Sequence, residues 1–132
     1  MNWEKGQKYE HLAERYLHSK GYSIVERNWH AGNHGELDLV CKKDKNYIFI
    51  EVKGRSSNHA YEDALNSITP WKAKKLMFCM RTYLDHLEKK RIYSPKNRFD
   101  VVVVCEDKLS GESIVDHIEN VNLWDLLENS KF

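Results

Sequence analysis

Five residues near the start of the chain, Tyr9, Leu12, Ala13, Tyr16 and Leu17, recur at i, i+3, i+4, i+7 and i+8. That spacing predicts one apolar stripe of an amphipathic helix, and Gly21 is placed to end it as a C-cap. The pattern then shifts to that of strands. YSIVERNW (22–29) is a β-rich run, HAGNHG (30–35) is a loop, and GELDLVCKKDKNYIFIEVKGR (35–55) reads as two strands around a polar turn. The stretch from Ser56 to Thr69 reads as a further loop. Pro70 opens a second, longer helix whose stripe is Ala73, Leu76, Met80, Tyr83, Leu84 and Leu87. YSPKN (93–97) is a turn cluster, FDVVVVC (99–105) a nearly unbroken apolar strand, SIVDHIE (113–119) another strand, and a short helix over 123–127 follows. The predicted order is αβββαββα. An apolar run such as FDVVVVC needs cover on both faces, so the expected fold is α/β, a mixed central β-sheet flanked by α-helices, in a single domain over residues 1–132.

The hairpin carries charges where apolar residues are expected. Alternation sets Glu36, Asp38 and Val40 on one face against Leu37, Leu39 and Cys41 on the other. In the next strand Phe49, Glu51 and Lys53 lie against Ile48, Ile50 and Val52. A turn with an even number of residues, Asp44 and Lys45 alone or 43–46, places Asp38 opposite Glu51 and Glu36 opposite Lys53. Two carboxylates across a ladder have Cβ atoms about 4.5–5.5 Å apart and repel each other, so they need a compensating cation. Lys53 supplies one charge. A divalent ion with hard oxygen ligands, Mg²⁺ with Mn²⁺ as a substitute, supplies two. The competing reading is a solvated ladder of surface ion pairs worth under about 1 kcal/mol.

Composition narrows the partners. With 132 residues, 41% apolar, 31% charged and a net charge of +1, the chain has a modest core and lacks the global basic field of many nucleic-acid binders. Any basic footprint must therefore be local. The second helix carries Lys72, Lys74, Lys75 and Arg81, and Arg55 continues the second strand of the hairpin. Arg55 and Lys72 are the candidates for contacts to a phosphate backbone, while Lys74 and Arg81 point to solvent. No groove-reading element is recognisable, so base-specific recognition finds no support. Three widely separated cysteines suggest neither a disulfide framework nor a zinc site, which points to a reducing cytoplasm. The charged start lacks the apolar core of a signal peptide, and no stretch approaches the roughly 18 apolar residues of a membrane span. A soluble monomer or homodimer is expected. His30 and His34 are a weak metal pair on a glycine-rich loop, or flank the mouth of the site. Trp3, Trp29, Trp71 and Trp124 read as core or hydrophobic anchors rather than base-stacking platforms.

GELDLV followed by IFIEVKGR resembles the PD-(D/E)xK nuclease superfamily, with its acid on one strand and (Asp/Glu)-x-Lys on the next. Nearly the whole chain is similar to the YraN-like family of small bacterial proteins. Matching positions include Gly6, Glu10, Ala13, Leu17, Gly21, Tyr22, Arg27, Asn28, Trp29, Pro70, Lys72, the RFDVV run from Arg98 to Val102, His117 and Ile118. The resemblance implies a restriction-endonuclease-like core with Asp38 and Glu51 as metal ligands and Lys53 as the charge stabiliser. Glu10 resembles the helix-borne acid that archaeal Holliday-junction resolvases add to such a site, and Glu36 would support Lys53 from behind or add a ligand. The implied activity is Mg²⁺-dependent endonucleolytic cleavage of DNA phosphodiester bonds, on branched or structured DNA. The alternative is a noncatalytic nucleic-acid-binding protein that keeps the nuclease fold.

Overall fold

The apolar stripe of the first helix meets one face of a sheet, and the longer helix meets the other. The computed structural model describes residues 5–55, 60–107 and 109–128. Its elements are α1 (Lys5–Ser19), β1 (Ser23–His30), β2 (Glu36–Lys43), β3 (Asn46–Arg55), α2 (Ala60–Asn66), α3 (Pro70–Lys89), β4 (Arg98–Glu106), β5 (Ser113–Ile118) and α4 (Leu123–Glu128). The strands form a five-stranded sheet in the order β1-β2-β3-β4-β5. Only β3 and β4 run parallel in that sheet; the other neighbours are antiparallel. A parallel pair needs a long crossover, and α2 with α3 provide it.

Local chemistry ends the helices where the sequence indicates. Gly21 takes φ of 88°, and Tyr22 N–H turns back to the Leu17 carbonyl at 3.0 Å, closing α1. At the start of α3 the Thr69 hydroxyl accepts from Lys72 N–H at 3.1 Å, with Pro70 in the first turn. The predicted order lacks α2, which occupies part of the stretch read as a loop. Ala64 is fully buried there, and α2 packs on β3 and β4. Its buried side, with Ile68 just after, covers sheet surface that a loop would leave wet, a tertiary contact too short to show a helical period.

Two cores result. On the α3 side Phe49, Val101 and Val103 meet Ala73, Leu76, Cys79 and Tyr83. On the α1 side Ile48, Ile50, Val102 and Val104 meet Ala13 and Leu17. The central strands are buried on both faces, which is why FDVVVVC shows no alternation. Asp100, inside that run, is fully buried on the α1 side. No described helix is long and apolar enough to cross a membrane.

Candidate functional site

The hairpin turn holds two residues, because Lys43 pairs with Asn46 and Asp44 takes the left-handed φ of 56°. The register is even, and the ladder runs to Leu39 opposite Ile50. One step further Asp38 falls opposite Glu51. The ladder stops there: the Asp38 Oδ2 atom accepts the Val52 N–H at 2.9 Å, so a side chain takes a bond that backbone would otherwise make.

Strict alternation fails at the same point. Leu37 packs in the α3-side core, whereas Leu39 and Cys41 pack on the α1 side, which corrects the expectation that all three share a face. The partner strand turns in step. Trp29, paired with Leu37, lies edge-on against Tyr83 of α3, while Arg27, paired with Leu39, reaches Glu14 of α1. Asn28 between them has a positive φ of 49°, a backbone rotation that reverses the side-chain sequence. The twist swings Asp38 toward β3 and opens a cleft.

That cleft, about 310 Å³, is lined by Gly35, Glu36, Asp38, Glu51, Trp71, Lys72, Lys75 and Leu76. Gly35 at φ 137° admits no ordinary side chain, and a Cβ there would lie 3.2 Å from Cys79 Sγ and 3.4 Å from Lys75 Cβ. Its bare backbone lets α3 approach the loop and bring Lys72 and Lys75 to the opening. Glu51 is 3% exposed, and the Lys72 ammonium lies 2.7 Å from its Oε2. Lys72 thus makes a short charge-assisted contact with a buried carboxylate at the mouth of the cleft.

The electrostatics follow from this crowding. Burial first, then the adjacent Glu51 carboxyl, pushes Asp38 up from 3.8 to about 8. Glu51 is itself lowered: burial opposes this, but Asp38 and Lys72 outweigh it. The two behave as a pair in which Glu51 holds the charge and Asp38 holds a proton. Lys53, half-buried on the same face of β3, is lowered by burial and by the nearby Lys72. Lys72 is raised, because contact with Glu51 overcomes its own burial.

Asp38, Glu51, Lys53 and Lys72 are thus brought together. The other candidates have different partners. Glu36 lines the cleft but pairs with His30 Nε2 at 3.1 Å rather than with Lys53. Glu10, partly buried on α1, is raised by burial and by Glu14 and Glu36, and it does not line the cleft. Arg55 ends β3 with its Nη1 donating to the Gly54 carbonyl at 2.7 Å. Lys74 and Arg81 face solvent as expected. His34 packs on Phe78, with ring centroids 5.1 Å apart, so the two loop histidines have different neighbours. Among the described residues no three His, Cys, Asp or Glu side chains cluster as a metal site. Trp3 and part of the stretch read as a loop lie outside the described residues.

Two features escape sequence reasoning. Trp71 is 67% exposed and Trp124 is 65% exposed, so neither is a core anchor. The second feature is a network on the opposite face. Asp100 accepts from Arg98 Nε and Nη2 at 2.8 and 2.9 Å and from Asn120 N–H at 2.9 Å, and His117 Nε2 lies 2.7 Å away. Arg98 also donates to the Tyr22 hydroxyl, and the Tyr16 hydroxyl meets His117 Nδ1 at 3.1 Å. Its one sequence signal was a charge inside an apolar strand, with an arginine two residues earlier on the same face.

Comparison with other proteins places the chain. The pattern of the uncharacterised protein family UPF0102 matches residues 9–104. A UPF0102 protein of Syntrophomonas wolfei is 42% identical over 91% of this chain and 98% of its own length. One from Aliarcobacter butzleri is 33% identical over 93% of this chain and all of its own length. Among solved structures, Pyrococcus furiosus SfsA in complex with Ca²⁺ aligns over 86% of this chain and 62% of its own, at 19% identity and a TM-score of 0.44, too loose a likeness to carry function. The agreement with these two full-length relatives and with the family pattern, which takes in both strands of the cleft, settles the membership: the chain belongs to the UPF0102 family.

Proposed function

We propose that this cleft is the active site of a Mg²⁺-dependent endonuclease acting on DNA phosphodiester bonds. The observation that carries the reading is the pair of carboxyl groups, Asp38 and the buried Glu51, that border one cleft with the Lys72 ammonium 2.7 Å from Glu51 Oε2 as counter-charge. Such an arrangement opposes folding, and a divalent cation relieves it. The donor set fits: it is all oxygen, and Mg²⁺ typically uses one or two carboxylates and keeps several waters. A cleft of about 310 Å³ has room for those waters at roughly 30 Å³ each. Zinc, which prefers nitrogen and sulfur ligands, fits poorly.

Asp38 and Glu51 would hold the ion. When bound, Mg²⁺ supplies Lewis acidity toward a phosphate oxygen and lowers the pKa of a water. The remaining chemistry belongs to the chain. Lys53, on the same face of β3 as Glu51, orients the attacking water or steadies the charge that builds on the phosphorus oxygens. Lys72 neutralises Glu51 before the ion arrives and afterwards offers its ammonium to a substrate phosphate. Arg55, at the end of β3, contacts the backbone beyond the scissile bond. Glu36 and Glu10 contribute negative potential at the rim.

The test is cleavage of labelled duplex, single-stranded and four-way DNA with Mg²⁺ or Mn²⁺, by wild type and by the Asp38→Ala and Glu51→Ala variants. Metal-dependent cutting by the wild type that both substitutions abolish is the expected result. Salt-sensitive binding by all three proteins with no cutting would replace the enzyme with a noncatalytic nucleic-acid-binding protein.

A further inference from the structure

We infer that Trp71 is a stacking platform for an unpaired base, so that the substrate of the proposed site is nucleic acid with a single-stranded segment beside the scissile phosphate. This rests on the nuclease reading above and narrows it. Trp71, Lys75 and Phe78 stand at i, i+4 and i+7 on α3 and so form one stripe of the helix. The stripe faces outward: Trp71 is 67% exposed, Phe78 is 47% exposed, and Lys75 is exposed between them. Folding gives no reason to display two large aromatics together beside a polar cleft.

Position and charge identify the occupant. Trp71 and Lys75 line the same cleft as Asp38 and Glu51, so whatever lies on the indole lies next to the carboxylate pair. The Lys75 ammonium is 5.0 Å from the Trp71 ring centroid, where it can meet the phosphate joined to a stacked base. The His34 ring against Phe78 extends the aromatic surface away from the cleft. Lys72 and Lys74 add positive charge to the same end of the helix, and the stripe presents no aliphatic residue between its rings. Flat rings interleaved with cations fit a polyanion whose units have π-faces. In a continuous duplex those faces are already stacked on one another. Only an unpaired base offers one.

The experiment uses the full chain in EDTA, so that binding is read without cutting. Ligands are a blunt DNA duplex and the same duplex with a single-stranded tail, the latter carrying 2-aminopurine at the first unpaired position. Wild type should prefer the tailed DNA and quench the probe. Trp71→Ala should weaken tailed binding by about tenfold, abolish the quench and leave blunt binding and the unfolding midpoint unchanged, while Trp71→Phe keeps most of both signals. Equal loss on both DNAs, no loss on either, or no quench in the wild type would overturn the inference. Wild type that binds neither DNA would overturn both the platform and the nuclease reading. Trp71-dependent quenching in a protein that never cuts with Mn²⁺ would support the platform and sink hydrolysis alone.

Discussion

Glu51 and Asp100 are buried carboxylates one residue apart across the parallel β3–β4 ladder, and the protein treats them in opposite ways. Asp100, on the α1 face, is 0% exposed and has partners for both oxygens from Arg98, His117 and the Asn120 N–H. Burial works to raise its pKa, but those partners win and hold it below the usual carboxylate range. Glu51, on the α3 face, has a second acid beside it, and its counter-charges are the Lys72 ammonium at 2.7 Å and the nearby Lys53. A satisfied buried charge ties elements together. Glu51 instead borders an open cleft beside a second acid, the arrangement on which the proposed metal site rests.

The largest test of this contrast is Asp100→Ala, which leaves Arg98, His117 and the Asn120 N–H facing an empty space. A loss of about 3–5 kcal/mol in urea unfolding is expected. A loss under about 1 kcal/mol would show that the network is not structural. Next in size, Asp38→Asn should stabilise the protein by roughly 1–2 kcal/mol at neutral pH while removing the proposed metal-dependent activity, since Asn needs no proton taken up on folding whereas Asp38 is held protonated beside Glu51.

The same pair of sites gives opposite pH slopes. Asp38 has a folded pKa of about 8 against an ordinary 3.8. The folded chain therefore holds that proton more tightly, and the associated stability is whole below pH 3.8 and lost as pH rises toward 8. Asp100 is depressed, so its contribution is present above its ordinary 3.8 and lost as pH falls through its lower folded value. Unfolding free energies across pH 2–9 should thus show a decline between pH 3.8 and about 8 that Asp38→Asn flattens and a separate decline below pH 3.8 that it leaves in place. A decline unaltered by Asp38→Asn would contradict the strained pair.

Lys72→Met should cost about 1 kcal/mol by thermal unfolding, less than Asp100→Ala, because the Lys72 side chain is 37% exposed and water can partly replace it. Smallest of all, Mn²⁺ at about its dissociation constant should raise the wild-type melting temperature by roughly 1–2 °C. Asp38→Asn and Glu51→Gln should show no such rise. An equal rise in all three proteins would place the ion elsewhere.

Much of this site was legible because its determinants are local. A two-residue turn sets an even register, and an even register carries Asp38 to Glu51 whatever else the chain does. Lys53 follows two residues on, and the edge position of Lys72 on its helix was visible in the apolar stripe. The role of Trp71 was not visible. A large aromatic at a helix start looks the same in sequence whether it anchors a core or stands in solvent, and the packed structure leaves Trp71 exposed at the edge of the cleft.

By itself, then, the sequence determined the strands and the two longer helices, and the meeting of two carboxylates only on condition of an even turn, because the periods of helices and strands are properties of short segments. Only the tertiary structure decided that β2 rotates at Asp38 and sends Leu37 to the opposite core, and that α2 covers β3 and β4. It alone joined Asp100 to partners from β4, β5 and the turn after it, with Tyr22 and Tyr16 packed behind them. These outcomes depend on which surfaces are left to bury once the elements meet. That competition is not written in any window of the chain.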